Sequence, residues 1–370
     1  MKILHLITTL DVGGAEMHLL EQVRGQVSRG HAVRVLYLKG KGSLAPDLRE
    51  AGAGFVGRAG LAGIFRSARW ADLVHTHLLK ADAAGAVVAT LAGRRSALVS
   101  SKHNDEKILE RSLVSIVHGI LGTLPRRTIV LSDHVGRFFT EHGRLDPARM
   151  RRVYYGIDPA RFETATAATA DRDAVRGSFG FRAEHVVFVC VARFSPQKAH
   201  DVLLRALSEV RDDRVRLLLV GDDPFGDGRR AAEGLARELR LGGRAVFAGI
   251  RRDVPELLAA SDAFVMASLW EGFGLVFLEA MAAGLPVVST RVSAVPEVVV
   301  ENETGLLVPP GDATALAAAM SALAGEPHLR TRLGRAGRAR VRERFRLDRM
   351  IEETLAVYAE VLSGRPPSRP

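Results

Sequence analysis

Cysteine is almost absent from this sequence, since Cys190 is the only one among 370 residues. A disulfide within the chain is therefore excluded, as is common in proteins of a reducing compartment. Cys190 lies in the apolar run HVVFVCVARF, so we predict a buried and unreactive thiol rather than a nucleophile.

Long apolar runs and targeting signals are missing as well. No stretch approaches the ~20 consecutive apolar residues that a membrane-spanning helix needs. The first residues, MKILHLITTLDVGGAE, carry one lysine and a short strand-like run, without the cleavage site of a secretory signal. We therefore expect a soluble, cytoplasmic protein, and peripheral contact with the inner membrane face stays open.

Aromatic residues make up only 6% of the chain, and its net charge of +10 is carried mostly by arginine. The densest run of arginines lies between Leu329 and Met350, and Arg149, Arg151 and Arg152 form a second cluster. No helix-turn-helix, zinc-finger or RNP-type motif accompanies them, so we predict no nucleic-acid partner. A solvated arginine-rich surface and a dock for anionic lipid headgroups both fit this pattern.

Strand-like apolar runs alternate with helical patterns in both halves of the chain. They are KILHLITTL, AVRVLYLKG, DLVHTH, ALVSSKH and RTIVLSD, and after a break HVVFVCVARF, RVRLLLVG, GRAVFAG, AFVMAS and PVVSTR. This alternation predicts parallel sheets covered by helices on both faces. The break, a polar segment at Gly156–Asp173, is typical of a linker. We predict an α/β protein of two doubly wound domains, 1–165 and 166–349.

Ligands of doubly wound domains bind where the strands end at their carboxyl side. Gly13 and Gly14 follow the first strand and precede a helix, which suits a phosphate or sugar contact as well as a plain tight turn. Arg193 and Lys198 follow the first strand of the second half. Two cations in such a loop suit a pyrophosphate, and exposed surface cations are the alternative.

Glu271 and Glu279 lie on either side of a predicted helix start in SLWEGFGLVFLEAMAAGLPVV. If a phosphate occupied the helix N-terminus, the two carboxylates could accept hydrogen bonds from the diols of a sugar and a ribose. Taken alone, the pair also fits a solvated loop acid and a helix-stabilising acid.

Histidines follow two of the predicted strands. His75 and His77 alternate in LVHTHLL and so share one face of the strand. No third ligand is evident in the sequence, which favours sheet packing or the lining of an acceptor cleft over a metal site. His103 ends ALVSSKH, at a strand's carboxyl end, which suits a ligand contact as well as a hydrogen-bonded loop histidine.

In their order and spacing, these motifs resemble those of the retaining glycosyltransferases of family 4. The resemblance covers essentially the whole chain and is strongest from Val186 to Asp312. The matching pieces are GGAE (Gly13–Glu16), SKHN (Ser101–Asn104), GID (Gly156–Asp158), ARF with a later lysine (Arg193, Lys198), GIRRDVPELLAASDAFVMAS (Gly249–Ser268), EGFGLVFLEAMAAGLPVV (Glu271–Val288), VPEVV (Val295–Val299) and GLLVPPGD (Gly305–Asp312).

The resemblance implies the GT-B fold, in which two Rossmann-like domains face each other across a cleft. It also implies that the C-terminal helix, predicted at about 350–363, packs back on the first domain. Tyr155 and Ala199 depart from the family pattern, because many members have Asn and Gly at these positions.

Roles for individual residues follow from the same resemblance. Arg193 and Lys198 would contact the donor diphosphate, Glu271 the hydroxyls of the donor sugar, and Glu279 the ribose diol. His103 would lie near the donor sugar. The catalytic residues would then be His103, Glu271, Arg193 and Lys198. The other donor contacts would come from Gly13, Gly14, Ile250, Arg251, Phe273, Gly274 and Leu275.

The function implied is retaining, metal-independent transfer of a hexosyl unit from a UDP-, GDP- or other nucleotide diphosphate sugar. No cofactor is expected. The acceptor would be a glycan, a lipid-linked molecule or a small metabolite, in the synthesis of cell-surface glycans, glycolipids or glycosylated metabolites. A sugar-nucleotide epimerase of the same fold and a non-catalytic scaffold that binds nucleotide-sugar are the alternatives.

Overall fold

The structure is a computed structural model that describes residues 1–11, 13–168, 172–223 and 226–364. The described chain divides into two units, one formed by Met1–Gly156 with the residues from Leu347 onward, and the other by Ile157–Arg346. The predicted boundary after residue 165 falls inside the helix Pro159–Ala168, which packs on two helices of the second unit. Part of the predicted linker, residues 169–171, lies outside the described residues.

The first unit contains a parallel sheet of seven strands in the order β3-β2-β1-β4-β5-β6-β7. The strands are β1 (Lys2–Ile7), β2 (Ala32–Tyr37), β3 (Phe55–Arg58), β4 (Leu73–His77), β5 (Leu98–Lys102), β6 (Arg127–Val130) and β7 (Met150–Arg152). Its helices are α1 (Gly14–Val27), α2 (Ala45–Glu50), α3 (Leu61–Trp70), α4 (Leu79–Leu91), α5 (Ser112–Leu121), α6 (Asp133–Glu141) and the C-terminal α16 (Leu347–Leu362).

The second unit contains a parallel sheet of six strands in the order β10-β9-β8-β11-β12-β13. The strands are β8 (Val186–Val191), β9 (Val215–Val220), β10 (Ala245–Gly249), β11 (Ala263–Met266), β12 (Val287–Thr290) and β13 (Gly305–Val308). Its helices are α7 (Pro159–Ala168), α8 (Arg172–Gly177), α9 (His200–Glu209), α10 (Gly228–Glu238), α11 (Val254–Ala260), α12 (Leu275–Ala282), α13 (Val295–Val298), α14 (Ala313–Gly325) and α15 (Pro327–Arg344).

Both sheets have the doubly wound strand order of a Rossmann-like domain, so the predicted fold class is confirmed. The order reverses between β1 and β4 in the first unit and between β8 and β11 in the second. All ten predicted strands are present, and their apolar residues form the buried centre of each sheet. Cys190 lies on the central strand β8, where burial raises the pKa of its thiol to about 12.

The helix α16 packs on α1 within the first unit. Its Glu360 carboxylate accepts hydrogen bonds from the guanidinium groups of Arg127 and Arg151, at 2.7–3.0 Å. One arginine of the predicted cluster at residues 149–152 is therefore used to hold this helix on the sheet.

Arginines of α15 bind the carbonyl groups at which other helices of the second unit end. Arg338 donates to the carbonyls of Ala282 and Ala283, where α12 ends. Arg340 donates to Glu297 and Val298, where α13 ends. The last carbonyls of a helix have no partner within the helix, so these guanidinium groups satisfy them. Part of the arginine run from Leu329 to Met350 is therefore structural rather than a free lipid-binding face.

Candidate functional site

The loops after β8 and β11 meet at the strand-order reversal of the second sheet. The loop after β8 contains a 3-10 turn at Pro196–Lys198. Its Gln197 side chain donates to the Trp270 carbonyl at 2.8 Å, and its own carbonyl accepts from the Leu269 amide at 2.8 Å. These two hydrogen bonds fix one loop against the other, so the residues that each loop carries have defined relative positions.

Lys198 and Glu271 form an ion pair between these two loops, from Nζ to Oε1. Both side chains are largely buried, and Ser268 Oγ donates to the same carboxylate oxygen at 2.7 Å. The family resemblance implies that the two residues bind different parts of the donor, and the structure shows them in direct contact. Ser268 was not predicted, because a serine at the end of a strand has no distinguishing sequence signal.

Arg193 and Ala199 flank the same turn. Arg193 is exposed, and within the described part of the chain no hydrogen bond or ion pair engages its guanidinium. Ala199 adopts left-handed backbone angles, φ 45° and ψ 52°, immediately before α9. That conformation favours glycine, which gives a physical reason for the glycine of many family members at this position.

The helix α12 begins at Leu275, between Glu271 and Glu279, as the sequence predicts. Gly274 precedes it with φ 82°, and a Cβ atom there would lie 2.5 Å from the Phe277 ring. The position therefore requires glycine. The first amides of the helix have no partner within it and point outward from its positive end, which suits an anionic ligand. Phe273 is buried against Phe345, so only its backbone is available to such a ligand.

Glu279 lies on α12, one helical turn after its start, and is partly buried. No hydrogen-bond partner for its carboxylate occurs among the residues that the structure describes. Burial raises the pKa of this carboxyl, and the charge of Arg161 opposes the shift. A partly buried carboxylate without a partner is suited to accept hydrogen bonds from a ligand.

Ile250 and Arg251 follow β10, at the same carboxyl edge but two strands from β8. The Ile250 side chain is 71% exposed, although it is apolar. Arg251 pairs with Asp253 at 2.5 Å and lies 5.7 Å from the centre of the Phe179 ring. Ile250 thus offers an apolar surface and Arg251 a fixed cation, and both suit contact with a planar nucleobase.

In the first unit, Gly13 and Gly14 lie where α1 begins. Gly13 is extended, and a Cβ atom on it would approach the Glu16 carboxylate to 2.6 Å. A Cβ atom on Gly14 would meet nothing within 4 Å, so the start of α1 is open on this side. The geometry is that of an accessible helix N-terminus, which suits a ligand contact as well as a plain turn.

His103 is buried just after β5, and both of its ring nitrogens are hydrogen-bonded. Nδ1 lies 2.7 Å from the Tyr155 hydroxyl and Nε2 lies 3.1 Å from Nδ1 of His77. Burial, followed by the charge of Lys102, lowers the pKa of His103 to about 3. Tyr155, which the sequence analysis treated only as a departure from the family pattern, is thus a direct partner of a predicted site residue.

His5 joins His75 and His77 in a buried group on neighbouring strands, with ring nitrogens within 4.8 Å of one another. This spacing is compatible with a metal ion, and the sequence analysis overlooked His5 as a third member. The strand order, which places β1 beside β4, was the signal that could have found it. Both ring nitrogens of each histidine already have hydrogen-bond partners in the first unit.

Two family models match the chain. The model described as Glycosyltransferase Family 4 matches residues 12–161, and the one described as Glycosyl transferases group 1 matches residues 185–326. Together they cover most of both units, including every predicted site residue.

The chain is similar over much of its length to a synthase and to several glycosyltransferases. The chain is 28% identical over 294 residues to N-acetyl-alpha-D-glucosaminyl L-malate synthase of Bacillus anthracis, covering 79% of this chain and 75% of that protein. It is 30% identical over 316 residues to a D-inositol 3-phosphate glycosyltransferase of Streptomyces avermitilis, covering 79% and 66%. The chain spans about half the length of other D-inositol 3-phosphate glycosyltransferases that it matches.

Among solved structures, Anabaena HepE in complex with UDP-glucose superimposes with a TM-score of 0.85 at 26% identity. The match covers 96% of this chain and 99% of HepE. None of the described helices combines the length and the apolar composition that crossing a bilayer requires.

Proposed function

This chain belongs to the family 4 glycosyltransferases, and from that membership we propose that it moves a hexosyl unit from a nucleotide diphosphate sugar to an acceptor hydroxyl with retention at the anomeric carbon. The observation that carries the proposal is the buried Lys198–Glu271 pair beside the start of α12. In support of the proposal, this fixed carboxylate lies in the loop before the N-terminus of α12, at the edge where doubly wound domains bind nucleotides, and a helix N-terminus suits an anion.

We assign the donor's parts to the second unit as follows. The first amides of α12 and the free guanidinium of Arg193 would bind the diphosphate. Glu271, held by Lys198 and Ser268, would accept hydrogen bonds from sugar hydroxyls, and Glu279 would accept them from the ribose diol. HepE was solved with UDP-glucose, so a uridine donor is the first to test.

The two glutamates do not have the arrangement of a retaining glycosidase, in which two carboxyl groups flank one scissile bond. Glu271 is already engaged by Lys198 and Ser268, and Glu279 lies in the following helix. We propose that the acceptor oxygen attacks the anomeric carbon on the face from which the diphosphate leaves. The acceptor proton passes to the departing phosphate oxygen, and cations and helix amides stabilise the charge that develops.

A lipid-linked acceptor is favoured by an apolar surface of the first unit, which we call the α4/α5 face. It consists of exposed side chains on α4, on α5 and in the 3-10 turn before α5: Val87, Leu91, Ile108, Leu113, Ile116, Val117 and Ile120. The two helices pack on each other. Seven exposed apolar side chains on neighbouring elements differ from the single ones of an ordinary solvated helix, and this supports a docking site.

A basic groove adjoins the α4/α5 face. It has a volume of about 770 Å³ and lies near the ends of the two helices, beside Thr90 and Thr123. Its charged lining consists of four arginines and one acid: Arg95, Arg126, Arg127, Arg149 and Asp146. Apolar side chains beside arginines complement an anionic bilayer, whose acyl region takes the former and whose headgroups take the latter. We propose that this face docks the protein on a membrane that presents the acceptor.

A thermal-shift screen of UDP-, GDP-, ADP- and dTDP-sugars, with free sugars as controls, tests the donor class. A donor at 100 times its dissociation constant stabilises the protein by about 2.7 kcal/mol, which raises its melting temperature.

Glu271→Ala should then abolish transfer while nucleotide binding persists. Conversion of the donor without any acceptor would instead indicate an epimerase, and binding without turnover a scaffold. Loss of turnover with EDTA, restored by Mg²⁺ or Mn²⁺, would contradict metal independence.

A further inference from the structure

A continuous line of buried hydrogen bonds runs through the first unit and ends at His103. Its members are Gln26 on α1, His5 on β1, His77 on β4 and His103 after β5. Gln26 Oε1 lies 2.8 Å from His5 Nε2, His5 Nδ1 lies 2.9 Å from His77 Nε2, and His77 Nδ1 lies 3.1 Å from His103 Nε2. Beyond this line, His103 Nδ1 lies 2.7 Å from the Tyr155 hydroxyl.

The carbonyl oxygen of Gln26 determines the direction of every hydrogen bond in this line. An amide oxygen only accepts, so the His5 proton must be on Nε2. A neutral imidazole has one donor and one acceptor nitrogen, so His5 Nδ1 accepts from His77 Nε2–H. By the same argument His77 Nδ1 accepts from His103 Nε2–H, and His103 Nδ1 accepts from the Tyr155 hydroxyl.

A second branch of hydrogen bonds starts at the other end of the Gln26 amide and is compatible with the same orientation. Gln26 Nε2 donates to the Tyr358 hydroxyl at 3.3 Å, and that hydroxyl donates to His75 Nδ1 at 2.6 Å. His75 Nε2–H then donates to Ser101 Oγ at 2.7 Å. One orientation of the Gln26 side-chain amide satisfies the hydrogen bonds of both branches. The opposite tautomer of His103 would require the oxygen and nitrogen of this amide to exchange places.

These hydrogen-bond directions require neutral imidazole rings, and the surroundings of the histidines keep the rings neutral. Burial is the main cause that lowers the pKa of His5 to about 4 and the pKa of His103 to about 3. Burial followed by the neighbouring histidines holds the pKa of His77 well below its usual value.

We propose that Gln26, acting through His5 and His77, is a positioning residue that keeps the His103 proton on Nε2 and its Nδ1 free to accept a hydrogen bond from a hydroxyl. In this structure the hydroxyl is that of Tyr155. The use of this acceptor nitrogen for a hydroxyl of the sugar donor or acceptor rests on the proposed function, whereas the tautomer itself does not.

Long-range ¹⁵N–¹H correlation spectra of the ¹⁵N-histidine-labelled protein test the tautomer directly, because they distinguish protonated from unprotonated ring nitrogens. His103→Gln assigns the His103 signals by their loss. We expect wild-type His103 at neutral pH to be protonated on Nε2 alone. A His103 protonated on Nδ1 would overturn the proposal, and this outcome needs no variant of Gln26.

Gln26→Leu removes the carbonyl and should give His103 a substantial Nδ1-protonated population. The matched control is Gln22→Leu, since Gln22 is one turn earlier on α1, equally buried, and bonded to Thr354 rather than to a histidine. Tyr155→Phe should leave His103 protonated on Nε2, because Gln26 determines the direction of the hydrogen bonds that lead to His103. An unchanged tautomer in folded Gln26→Leu, or a changed one in Tyr155→Phe, would refute the role of Gln26.

Activity provides the second measurement. With the donor found by the screen, Gln26→Leu should lower kcat/KM about 2- to 10-fold, the effect of one hydrogen bond, and Gln22→Leu should not. If the protein has no transferase activity, the spectra still decide the tautomer, so the two proposals fail separately. A tautomer change without any change in kcat/KM would refute the functional part of the inference.

Discussion

Lys198 and Glu271 are 73 positions apart in the sequence, yet Nζ of one contacts Oε1 of the other in the second unit. Because both side chains are largely buried, each charge depends on the other for stability in the folded protein. The pair therefore has a structural role in addition to the proposed contact with the donor.

Removing one member of this pair should be costly. Lys198→Met leaves a buried carboxylate without its countercharge, and we expect a loss of about 3–5 kcal/mol in the free energy of unfolding. Glu271→Gln leaves the buried ammonium unpaired in the same way. The double variant should be less destabilised than the sum of the two, which urea unfolding measures. Strictly additive losses would show that the two charges do not stabilise each other.

The guanidinium group of Arg338 should stabilise the end of α12. Arg338→Leu removes two hydrogen bonds and leaves the carbonyls of Ala282 and Ala283 uncovered, so we expect a loss of about 1–3 kcal/mol. Arg335 is the matched control, since it is exposed on the same helix. Arg335→Leu should change the free energy of unfolding by less than about 0.5 kcal/mol. Equal losses in both variants would contradict the structural role of the arginine run.

Stability should fall steeply as the pH is lowered. His5 and His103 have pKa values of about 4 and 3 in the folded protein, whereas histidines of the unfolded chain titrate near 6.5. Between pH 6.5 and about 4 the unfolded state therefore binds more protons, and acidification favours unfolding. Each such ring contributes about 1.4 kcal/mol per pH unit in this window, a slope that urea unfolding at several pH values measures.

His103→Gln removes one of these rings and should make that slope shallower by about 1.4 kcal/mol per pH unit. His328→Gln is the control, because it removes an exposed histidine on α15 rather than a buried one. A His103→Gln protein with the wild-type slope would mean that this ring is charged when folded.

The α4/α5 face should bind anionic membranes. We expect the protein to sediment with vesicles of phosphatidylglycerol and much less with phosphatidylcholine, since the groove beside the face is basic. Ile120→Asp should abolish this binding, because Ile120 is 64% exposed at the end of α5. Leu61→Asp, equally exposed at 66% but on α3, should not.

Vesicle binding that Ile120→Asp leaves intact would exclude this face as the docking surface. Concentration-dependent dimers that Ile120→Asp disrupts, without any vesicle binding, would assign the face to a second copy of the chain instead.

Ten strands were predictable because their mostly apolar runs alternate with helical patterns along the chain. The strands β3, β7 and β13, which lie at the edges of the sheets, were not, because FVGR and MRR contain few apolar residues and GLLV was interpreted only as part of a family motif. Loop positions of the candidate site followed from the strand order, because parallel strands all end at one edge. Contacts such as Lys198 with Glu271 require the three-dimensional fold.

The line of hydrogen-bonded histidines could not be predicted from the sequence, for a related reason. H-x-H in β4 was visible, but the partners depend on the register that places His5 beside His75. Gln26 and Tyr155 have no sequence pattern of their own, and Tyr155 attracted notice only because it differs from the family pattern. Their role follows from hydrogen-bond direction, which only the packed side chains define.

Calorimetric titration of the matching nucleoside diphosphate and nucleotide-sugar tests most directly whether Glu271 and Glu279 bind different parts of one donor. Glu279→Gln should weaken both ligands about 10- to 100-fold, the cost of a hydrogen bond to a charged group. Glu271→Gln should weaken only the nucleotide-sugar. Equal effects of Glu271→Gln on both ligands, or unchanged nucleotide binding in Glu279→Gln, would contradict the assignment.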